Sequence, residues 1–535
     1  MVEFKAMNDE ITALPDNIES LKALILAQRS QLAERDTLIR SIQNELRWEQ
    51  EKYKSLCARY FGSSSEKSHE VPGQWTFEFN EAETYVSEEP APVKVIEVAA
   101  HQRKGRGRKP QSGAIETVEI VHDLPEDQKI CPCCGKMRPT MGEVRSTEYE
   151  LIPAHVVRKI HIRKQYGSCR CDDFGQSTAP AVLCADGPAK IVPKSEFSNS
   201  TIAFFMVGKY EDAIPFYRME KVLARSGLIV SRATLCNLAI GVGRAIEDLI
   251  DLMWQDVRKS PVILMDETKV QVLREPGRQA QQLSYMWVTC GYSKDREIVL
   301  FHYHPTRKKL VPEHVLENWT GYLQTDGYEG YEAVGKRDGV EHVGCFAHIR
   351  RGFVDARKVN GSDGLAGQMI ELIGEVYAIE RDLRQRYENG TLSTAEFIEK
   401  RKAKLESVFT KMRLWLSCQS LTVAPSTKLG EAIGYASGHL EKAVRFVEHE
   451  LLTPDTNRVE NAIRPFVVGR KNWEFCATPL GAHASAGIYS LLETAKANGH
   501  DPYKYLCYLF EALPRATTTG EKRKLLPYQL MPSDY

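Results

Sequence analysis

Three acidic residues lie in sequence contexts that favour metal-dependent chemistry. Asp266 ends the apolar run of residues 261–265, Asp326 follows residues 321–325, and Glu460 lies in a helix-like stretch. Such apolar runs predict buried strands that carry each aspartate at the strand tip. A carboxylate beside a core needs a cationic partner, and three converging carboxylates could hold two Mg²⁺ or Mn²⁺ ions. Two metals held in this way form a site that cuts phosphodiester bonds.

The elements between the aspartates strengthen this interpretation, because either aspartate alone also fits a turn or a helix cap. Residues 269–272, 285–289 and 298–301 have the composition of strands, and a Pro-Gly pair at 276–277 marks a loop after the first of them. A helix-compatible stretch, residues 310–319, leads to the strand before Asp326. Three strands, a helix and a fourth strand is the order of ribonuclease-H-like folds, so the sequence predicts such a core.

Five segments of the chain resemble the transposase family of insertion sequence 66. They are MDET at 265–268, QTDGY at 324–328, CFAHIRR at 345–351, RPFVVGRKNW at 464–473 and IYSLLETAKANG at 488–499. The resemblance extends from the amino-terminal helical region to about Leu513. It implies that Asp266, Asp326 and Glu460 are the Asp-Asp-Glu triad of a DNA transposase, which binds the inverted repeats of its element, cleaves a strand and transfers the freed 3′ end to target DNA. The residues alone imply only metal-dependent phosphodiester chemistry.

Composition limits the broad class of protein. Lys plus Arg and Asp plus Glu both number 71, so net charge gives no indication of nucleic-acid binding. We find no apolar run as long as a membrane span and no secretory signal, so we expect a cytoplasmic protein, nucleoid-associated in a bacterium if the resemblance holds. Of 13 cysteines, five lie between positions 131 and 171, which favours one metal site in a reducing compartment.

The pattern along the chain predicts a multidomain α+β protein. Its expected parts are a coiled coil (1–62), a basic linker (63–114), a zinc-finger-like domain (115–190), a helical, helix-turn-helix-like region (191–258), the first part of the core (259–350), a helical insertion (351–452), the rest of the core with the third acid (453–513) and a tail (514–535). The insertion could contact DNA, contact a partner subunit or serve as a scaffold, and the sequence does not choose among these.

The amino-terminal segment has a seven-residue apolar repeat. The repeat consists of Ile18, Ile25, Leu32, Ile39 and Leu46, continued by Tyr53 and Tyr60. Leu21, Ile42 and Leu56 occupy partner positions, whereas Gln28, Arg35 and Glu49 interrupt that row. This pattern favours a coiled coil and a homo-oligomer over a helix packed on its own domain.

The linker contains the basic run RKGRGRKP at 103–110. Glycine removes side-chain bulk, so Arg106, Arg108 and Lys109 could enter a narrow minor groove, as in the hooks of chromatin proteins. The alternative is a solvated linker that contacts phosphates alone. Both interpretations predict contact with DNA.

Two cysteine pairs predict a structural zinc site. Cys131 and Cys134 form a Cys-x-x-Cys pair, and Cys169 and Cys171 form a second pair that is one residue shorter than the related family usually has. A substitute fourth ligand would be one of Cys133, Cys184, His155 and His161. The alternatives to zinc are unligated core cysteines and, less favoured, a redox pair.

The region before Asp266 has the pattern of a helix-turn-helix. Ser231 is a good N-cap, and residues 226–228 (Ser-Gly-Leu) form a plausible tight turn before it. Ordinary helical hairpins share this pattern.

Several cations near the acids are candidate phosphate contacts, since guanidinium groups match phosphate oxygens. They are Arg350, Arg351, Arg464, Arg470 and Lys471, together with His348 of the Cys-x-x-His sequence that begins at Cys345. The arginines and the lysine could instead form surface salt bridges, and His348 could be structural or bind a second metal. Glu267 should point to the opposite face of the strand from Asp266, so we do not expect it to be a ligand.

Two other functions fit parts of the sequence. A catalytically silent DNA-binding regulator derived from a transposase would use the amino-terminal modules but has no need of three acids. A structure-selective nuclease would need the acids but not the elaborate DNA-reading half. Relatives of the resembling family are encoded beside small accessory proteins, which are possible partners in addition to DNA.

Overall fold

The computed structural model describes residues 17–61, 156–167, 182–360 and 364–534. All of these residues belong to one compact unit. The helices are α1 (Ile18–Phe61), α2 (Asn199–Tyr210), α3 (Phe216–Arg225), α4 (Arg232–Ala245), α5 (Glu247–Val257), α6 (Leu310–Val315), α7 (Glu332–Gly335), α8 (Phe346–Asn360), α9 (Leu365–Glu388), α10 (Thr394–Ser420), α11 (Lys428–Ala443), α12 (Asn457–Trp473), α13 (Pro479–Ala497), α14 (Pro502–Ala512) and α15 (Thr519–Arg523). The strands are β1 (Gln165–Gly167), β2 (Val182–Cys184), β3 (Val262–Val272), β4 (Leu283–Ser293), β5 (Arg296–His304), β6 (Gly321–Gln324), β7 (Val340–Val343) and β8 (Phe475–Cys476).

A mixed six-stranded sheet forms the centre of the described fold. Its order is β5-β4-β3-β6-β7, and β8 pairs with the far end of β3. The first three strands of this sheet, β3, β4 and β5, are antiparallel neighbours, whereas β6 and β8 run parallel to β3, and β7 runs parallel to β6. The central strand β3 therefore meets the parallel and the antiparallel halves of the sheet.

The structure corrects one strand boundary and one helix boundary. The strands expected at 262–265 and 269–272 are one continuous strand, because β4 pairs with β3 from Val262 to Gln271. Asp266 accordingly lies inside β3 and not at its tip. Helix α6 ends at Val315 rather than at 319, because Asn318 adopts a positive φ of 58° and Trp319 turns into the core, where its indole N–H donates to Ser260 O at 2.9 Å.

The sheet is covered on both faces, as the alternation of side chains along β3 requires. Ile263 and Met265 pack with Trp319 in one cluster under α6. Leu264 belongs to the larger cluster on the other face, which also contains Phe466 of α12 and the apolar residues of α13. The acids therefore lie on a sheet held between two apolar layers.

Helix α13 also covers the edge strand β5. The hydroxyl oxygens of Ser490 and Thr494 accept hydrogen bonds from Phe301 N at 2.8 Å and Val299 N at 3.0 Å, and Thr494 Oγ1 donates to Val299 O at 2.9 Å. An uncovered edge strand would offer these backbone groups to another chain. Side chains of the 488–499 segment thus close the sheet on this side.

Helices α2, α3 and α4 form a compact helical region before the sheet. Ser231 caps α4 by accepting a hydrogen bond from Thr234 N at 3.1 Å, and Gly227 has φ +81° in the turn between α3 and α4. The predicted N-cap and tight turn are therefore confirmed. Among the described residues, no helix combines the length and the apolar character that crossing a membrane requires.

Candidate active site

The sheet register brings two of the three acids to the same level. In the parallel pair, Leu264 of β3 lies opposite Gln324 of β6. Asp266 and Asp326 are each two residues farther along, so they face each other across neighbouring parallel chains. Asp326 leaves the sheet directly after β6, as predicted, and its Oδ1 accepts a hydrogen bond from Tyr328 N at 2.9 Å. Asp266 Oδ1 accepts one from Glu267 N at 2.8 Å.

Glu460 reaches this edge from the first turn of α12. Its Oε1 accepts a weak hydrogen bond from Thr456 Oγ1 at 3.4 Å and lies 3.9 Å from His348 Nδ1. A carboxylate is favourable in the first turn of a helix because the helix dipole is positive there. The helix start therefore presents Glu460 toward the two aspartates.

The pKa of Asp266 shows that the three acids share one environment. Burial first, and then the neighbouring charges of Glu267, Asp326 and Glu460, together raise the pKa of Asp266 to about 8 against the opposing hydrogen bond from Glu267 N. In the part of the chain that the structure describes, no Lys or Arg forms an ion pair with Asp266. A cluster of carboxylates without such a cation has the electrostatics of a cation site.

The donor chemistry of this cluster fits Mg²⁺ or Mn²⁺, which prefer carboxylate oxygens. Within the described residues, however, no three His, Cys, Asp or Glu side chains lie close enough together to hold one ion. Glu460 is the freest of the three, since its hydrogen bond is long, whereas backbone N–H groups fix both aspartates.

Glu267 forms a separate ion pair beside Asp266. Its buried carboxylate pairs with Arg307 and accepts a hydrogen bond from Tyr331 Oη at 2.5 Å. Arg307 in turn lies over the ring of Tyr328, 3.7 Å from the centroid, and Tyr328 follows Asp326 by two residues. These partners agree with the expectation that Glu267 does not point toward the same side as Asp266. They join β3 to the loop that carries Asp326.

Cys345 and His348 have different surroundings. The Sγ atom of Cys345 accepts hydrogen bonds from Thr456 N at 3.4 Å and Thr456 Oγ1 at 3.3 Å, which fixes the residue before α12. His348 lies among the acids, and its buried Nδ1 has no hydrogen-bond partner in the structure. Burial and Arg351 lower the pKa of His348, whereas Glu460 and Asp326 raise it.

The five cations predicted to contact phosphate differ in their contacts and in their exposure to solvent. Arg470 donates to Thr268 Oγ1 at 3.0 Å and to Lys269 O, so it joins α12 to β3. Arg351 and Lys471 are exposed, whereas Arg350 and Arg464 are half-buried. Arg351 lies close enough to His348 for its charge to lower the pKa of that histidine.

The hook and zinc predictions lie outside the described residues. This applies to Arg106, Arg108 and Lys109 of the basic run and to Cys131, Cys134, Cys169 and Cys171 of the proposed zinc site. Two of the substitute ligands, His161 and Cys184, are described, and both are exposed.

Sequence reasoning missed four residues around the acids. They are Arg307, Gln324, Tyr435 and His439. A Cβ atom on Gly327, the residue after Asp326, would lie against Tyr435 Oη and 2.8 Å from His439 Nε2. A cation run at 307–309 after a strand could have drawn attention to Arg307. No pattern marks Tyr435 or His439, since the insertion brings them to the site from far along the chain.

Comparison with known families agrees with this arrangement. Residues 194–484 match the transposase IS66 family, residues 490–528 its C-terminal element, residues 128–172 the zinc-finger binding domain of transposase IS66, and residues 49–127 the transposase C of IS166 homeodomain. The fold and the acidic site thus belong to a transposase-class protein. The chain belongs to the transposase IS66 family.

Similar full-length proteins occur in Sinorhizobium fredii. The chain is 27% identical to the uncharacterized protein y4qI over 98% of both chains, and 25% identical to the uncharacterized protein y4jD over 96% of both. It is 23% identical to the uncharacterized protein y4hP, over 89% of this chain and 88% of that one. The likeness therefore extends along the whole chain, including its amino-terminal half.

Proposed function

We propose that this protein is an Asp-Asp-Glu transposase that cleaves DNA at the ends of an insertion sequence and joins them to target DNA. The observation that carries the proposal is the meeting of Asp266, Asp326 and Glu460 at one edge of the sheet, where their charges act on one another. Family membership gives the transposase role its context.

The strand order supports a ribonuclease-H-like core. Strands β3, β4 and β5 are followed by helix α6 and then by β6, and this is the succession of three strands, a helix and a fourth strand that the sequence pattern predicted for such a fold. The first acid on the central strand and the second directly after the fourth strand also fit it.

In the proposed mechanism, Asp266, Asp326 and Glu460 bind two Mg²⁺ or Mn²⁺ ions. Such ions activate a water for attack on phosphorus and stabilise the leaving oxygen. The backbone N–H groups of Glu267 and Tyr328 orient the two aspartates by donating to one carboxylate oxygen of each. The other oxygen of each aspartate would then bind a metal ion. No covalent enzyme intermediate is needed, because the freed 3′ hydroxyl is itself the nucleophile for joining.

His348 and Arg351 provide the groups that would contact the DNA backbone at this site. His348 Nδ1 is buried beside Glu460 with no hydrogen-bond partner, and Arg351 is exposed next to it. A phosphate oxygen placed there would receive a hydrogen bond and a charge, which position the scissile group without reading its sequence.

DNA recognition is assigned to the amino-terminal half. The exposed face of α4 presents Arg232, Thr234 and Asn237, while Leu235 and Leu238 face the core. This distribution suits a recognition helix in the major groove. The zinc-finger domain at 128–172 and the basic run at 103–110 would add further contacts, with Zn²⁺ held by the cysteine pairs.

Joining of DNA is the test. Purified protein, Mn²⁺ or Mg²⁺ and DNA that carries candidate element ends should give joined products, and Asp326→Asn should abolish them while DNA binding is retained. Asp338→Asn, a substitution of an exposed aspartate at the opposite end of the β6–β7 pair, is the matched control and should keep the activity. Tight DNA binding with no cleavage by the unmodified protein would favour the regulator function or indicate a missing accessory protein, whereas cleavage without joining would favour a nuclease.

A further inference from the structure

The residues that precede α12 are held in place by the helical insertion. Three charged side chains of α9 and α10 form a mostly buried cluster, which we call the insertion ion cluster: Glu380, Arg384 and Arg401, of which Arg384 keeps 22% of its side chain exposed. Arg401 is fully buried and Glu380 is 5% exposed. Arg401 donates to Glu380 from Nε at 2.7 Å and from Nη2 at 2.9 Å, and Arg384 Nε donates to Glu380 at 2.8 Å.

Both arginines also donate hydrogen bonds to backbone carbonyl groups of one segment, residues 449–456. Arg401 donates to His449 O at 3.0 Å and to Leu452 O at 2.7 Å. Arg384 donates to Glu450 O at 3.1 Å and to Leu452 O at 2.7 Å. A planar guanidinium fork suits this task, because its five N–H groups leave in fixed directions.

Aromatic rings fix the position of the two guanidinium groups. The Arg401 guanidinium lies between Phe397 and Phe446, 4.8 Å and 4.7 Å from the ring centroids. Arg384 lies 5.3 Å from the centroid of Phe397. Buried charges that are held in this way have little freedom to take other partners.

The core holds the rest of the same segment. The buried Gln324, two residues before Asp326, donates to Thr453 O at 2.7 Å, and Phe346 N donates to Pro454 O at 2.9 Å. Thr456 is bound by Cys345, and Glu460 follows one helical turn later. Backbone groups along the 449–456 segment are thus bound from the insertion at one end and from the strand of the second acid at the other.

We propose that the insertion ion cluster positions the third acid: Glu380, Arg384 and Arg401 fix the 449–456 segment and thereby the start of α12 that carries Glu460. They are positioning residues and not catalytic residues, because the hydrogen bonds given above connect them with one another and with the 449–456 segment and not with the three acids. The insertion accordingly acts as a scaffold for the active site, which is one of the roles that the sequence left open. The effect on metal binding rests on the proposed function, whereas the effect on the segment does not.

The test removes the cluster as a unit, because deleting one partner alone would leave a buried charge without compensation. The variant Glu380→Leu/Arg384→Leu/Arg401→Met replaces all three with apolar side chains of similar size. Arg401→Lys is a milder second variant that keeps the charge but lacks the fork. Arg413→Ala is the control, since Arg413 is also on α10 but forms exposed ion pairs with Glu406 and Glu441.

Two quantities are measured on the full-length protein without DNA. Amide hydrogen exchange at 449–456 should become roughly tenfold faster or more in the triple variant and in Arg401→Lys, while exchange in β3 and α13 stays unchanged. The dissociation constant for Mn²⁺, measured by calorimetry, should rise by roughly tenfold, as is typical when groups that support a metal ligand are removed. Arg413→Ala should match the unmodified protein in both quantities.

Unchanged exchange in variants that remain folded would overturn the inference. Faster exchange with an unchanged Mn²⁺ affinity would overturn it too, because the segment would then not control Glu460. If the unmodified protein binds no Mn²⁺, the proposed metal chemistry fails, and hydrogen exchange alone decides whether the cluster holds the segment. If the triple variant does not fold, the same two quantities are compared between Arg401→Lys and the unmodified protein.

Discussion

At the scale of single residues, the two aspartates are oriented by the chain that directly follows each of them. Asp326 accepts a hydrogen bond from the N–H two residues on, which is an Asx turn, and the Asp-Gly pair at 326–327 is a sequence signal for it. Asp266 accepts one from the next residue within a strand. The sequence therefore carries a signal for the turn at Asp326 but none for the partners of Glu267, because Arg307 and Tyr331 are brought to it only by folding.

A buried histidine gives a prediction on pH and stability. The pKa of His302 is lowered from 6.5 to about 4, first by burial and then by the nearby imidazoles of His304, His483 and His314. The unfolded chain thus binds a proton at this site between pH 6.5 and 4 that the folded chain does not. Folding stability is fully present above pH 6.5 and is lost as the pH falls toward 4.

Substitution of His302 should remove that loss. His302→Phe keeps an aromatic ring beside Trp254, whose ring lies 6.2 Å away, and cannot be protonated. In urea denaturation, the free energy of unfolding of the variant should rise by about 2 kcal/mol relative to that of the unmodified protein as the pH falls from 8 to 5. Above pH 7, the free energies of unfolding of the two proteins should change with pH in parallel. A constant difference across the whole range would show that His302 is not held neutral by the fold.

At the scale of elements, the sequence pattern predicted strands β3 to β6 of the sheet, the cap of α4 and the helical nature of the insertion, but not strands β7 and β8. It misplaced the end of β3 because the polar residues 266–269 interrupt the apolar run while the pairing with β4 continues. It gave no sign of the insertion ion cluster, since Glu380, Arg384 and Arg401 have the spacing of charges on an exposed helix face. Their burial depends on where α9 and α10 pack, which the local sequence does not encode.

Close packing between α4 and α13 gives the second prediction. A Cβ atom at Gly243 would lie 2.6 Å from Ala484 Cβ and 2.7 Å from Ala484 Cα, so Gly243→Ala must push the two helices apart. We expect the free energy of unfolding to fall by about 1–3 kcal/mol. The matched control is Gly374→Ala in α9, where an added Cβ atom would lie within 4 Å of no described atom beyond its own turn of helix and where alanine should add about 0.5–1 kcal/mol.

Urea denaturation of both glycine variants measures this difference. Equal stability of the two variants would contradict the close approach of α4 to α13. A loss confined to Gly243→Ala would agree with it.

At the scale of the whole molecule, α1 leaves its apolar repeat exposed. It is a single helix of 44 residues, and Ile18, Ile25, Leu32, Ile39 and Leu46 are between 49% and 74% exposed. An apolar row of this length on one chain favours association with another helix, and a heptad spacing favours a coiled coil. We therefore expect self-association of the protein through α1.

Charged substitutions in the repeat should abolish that association. Ile25→Lys/Leu32→Lys places two cations at seam positions, whereas Ser30→Lys/Thr37→Lys adds the same charge on the opposite side of α1. Sedimentation equilibrium should give a monomer for the first variant and an unchanged oligomer for the second. A monomeric unmodified protein, or equal masses for both variants, would contradict the coiled coil.

The central claim is that Asp266, Asp326 and Glu460 bind the metal ions that act on DNA, and exchanging one ligand atom tests it most directly. Asp266→Cys replaces a carboxylate oxygen with sulfur, which binds Mg²⁺ poorly and softer ions better. We predict that Asp266→Cys cleaves element-end DNA with Mn²⁺ but not with Mg²⁺, and that Asp266→Ala is inactive with either. Cleavage by Asp266→Ala in Mg²⁺ at the rate of the unmodified protein would contradict the account.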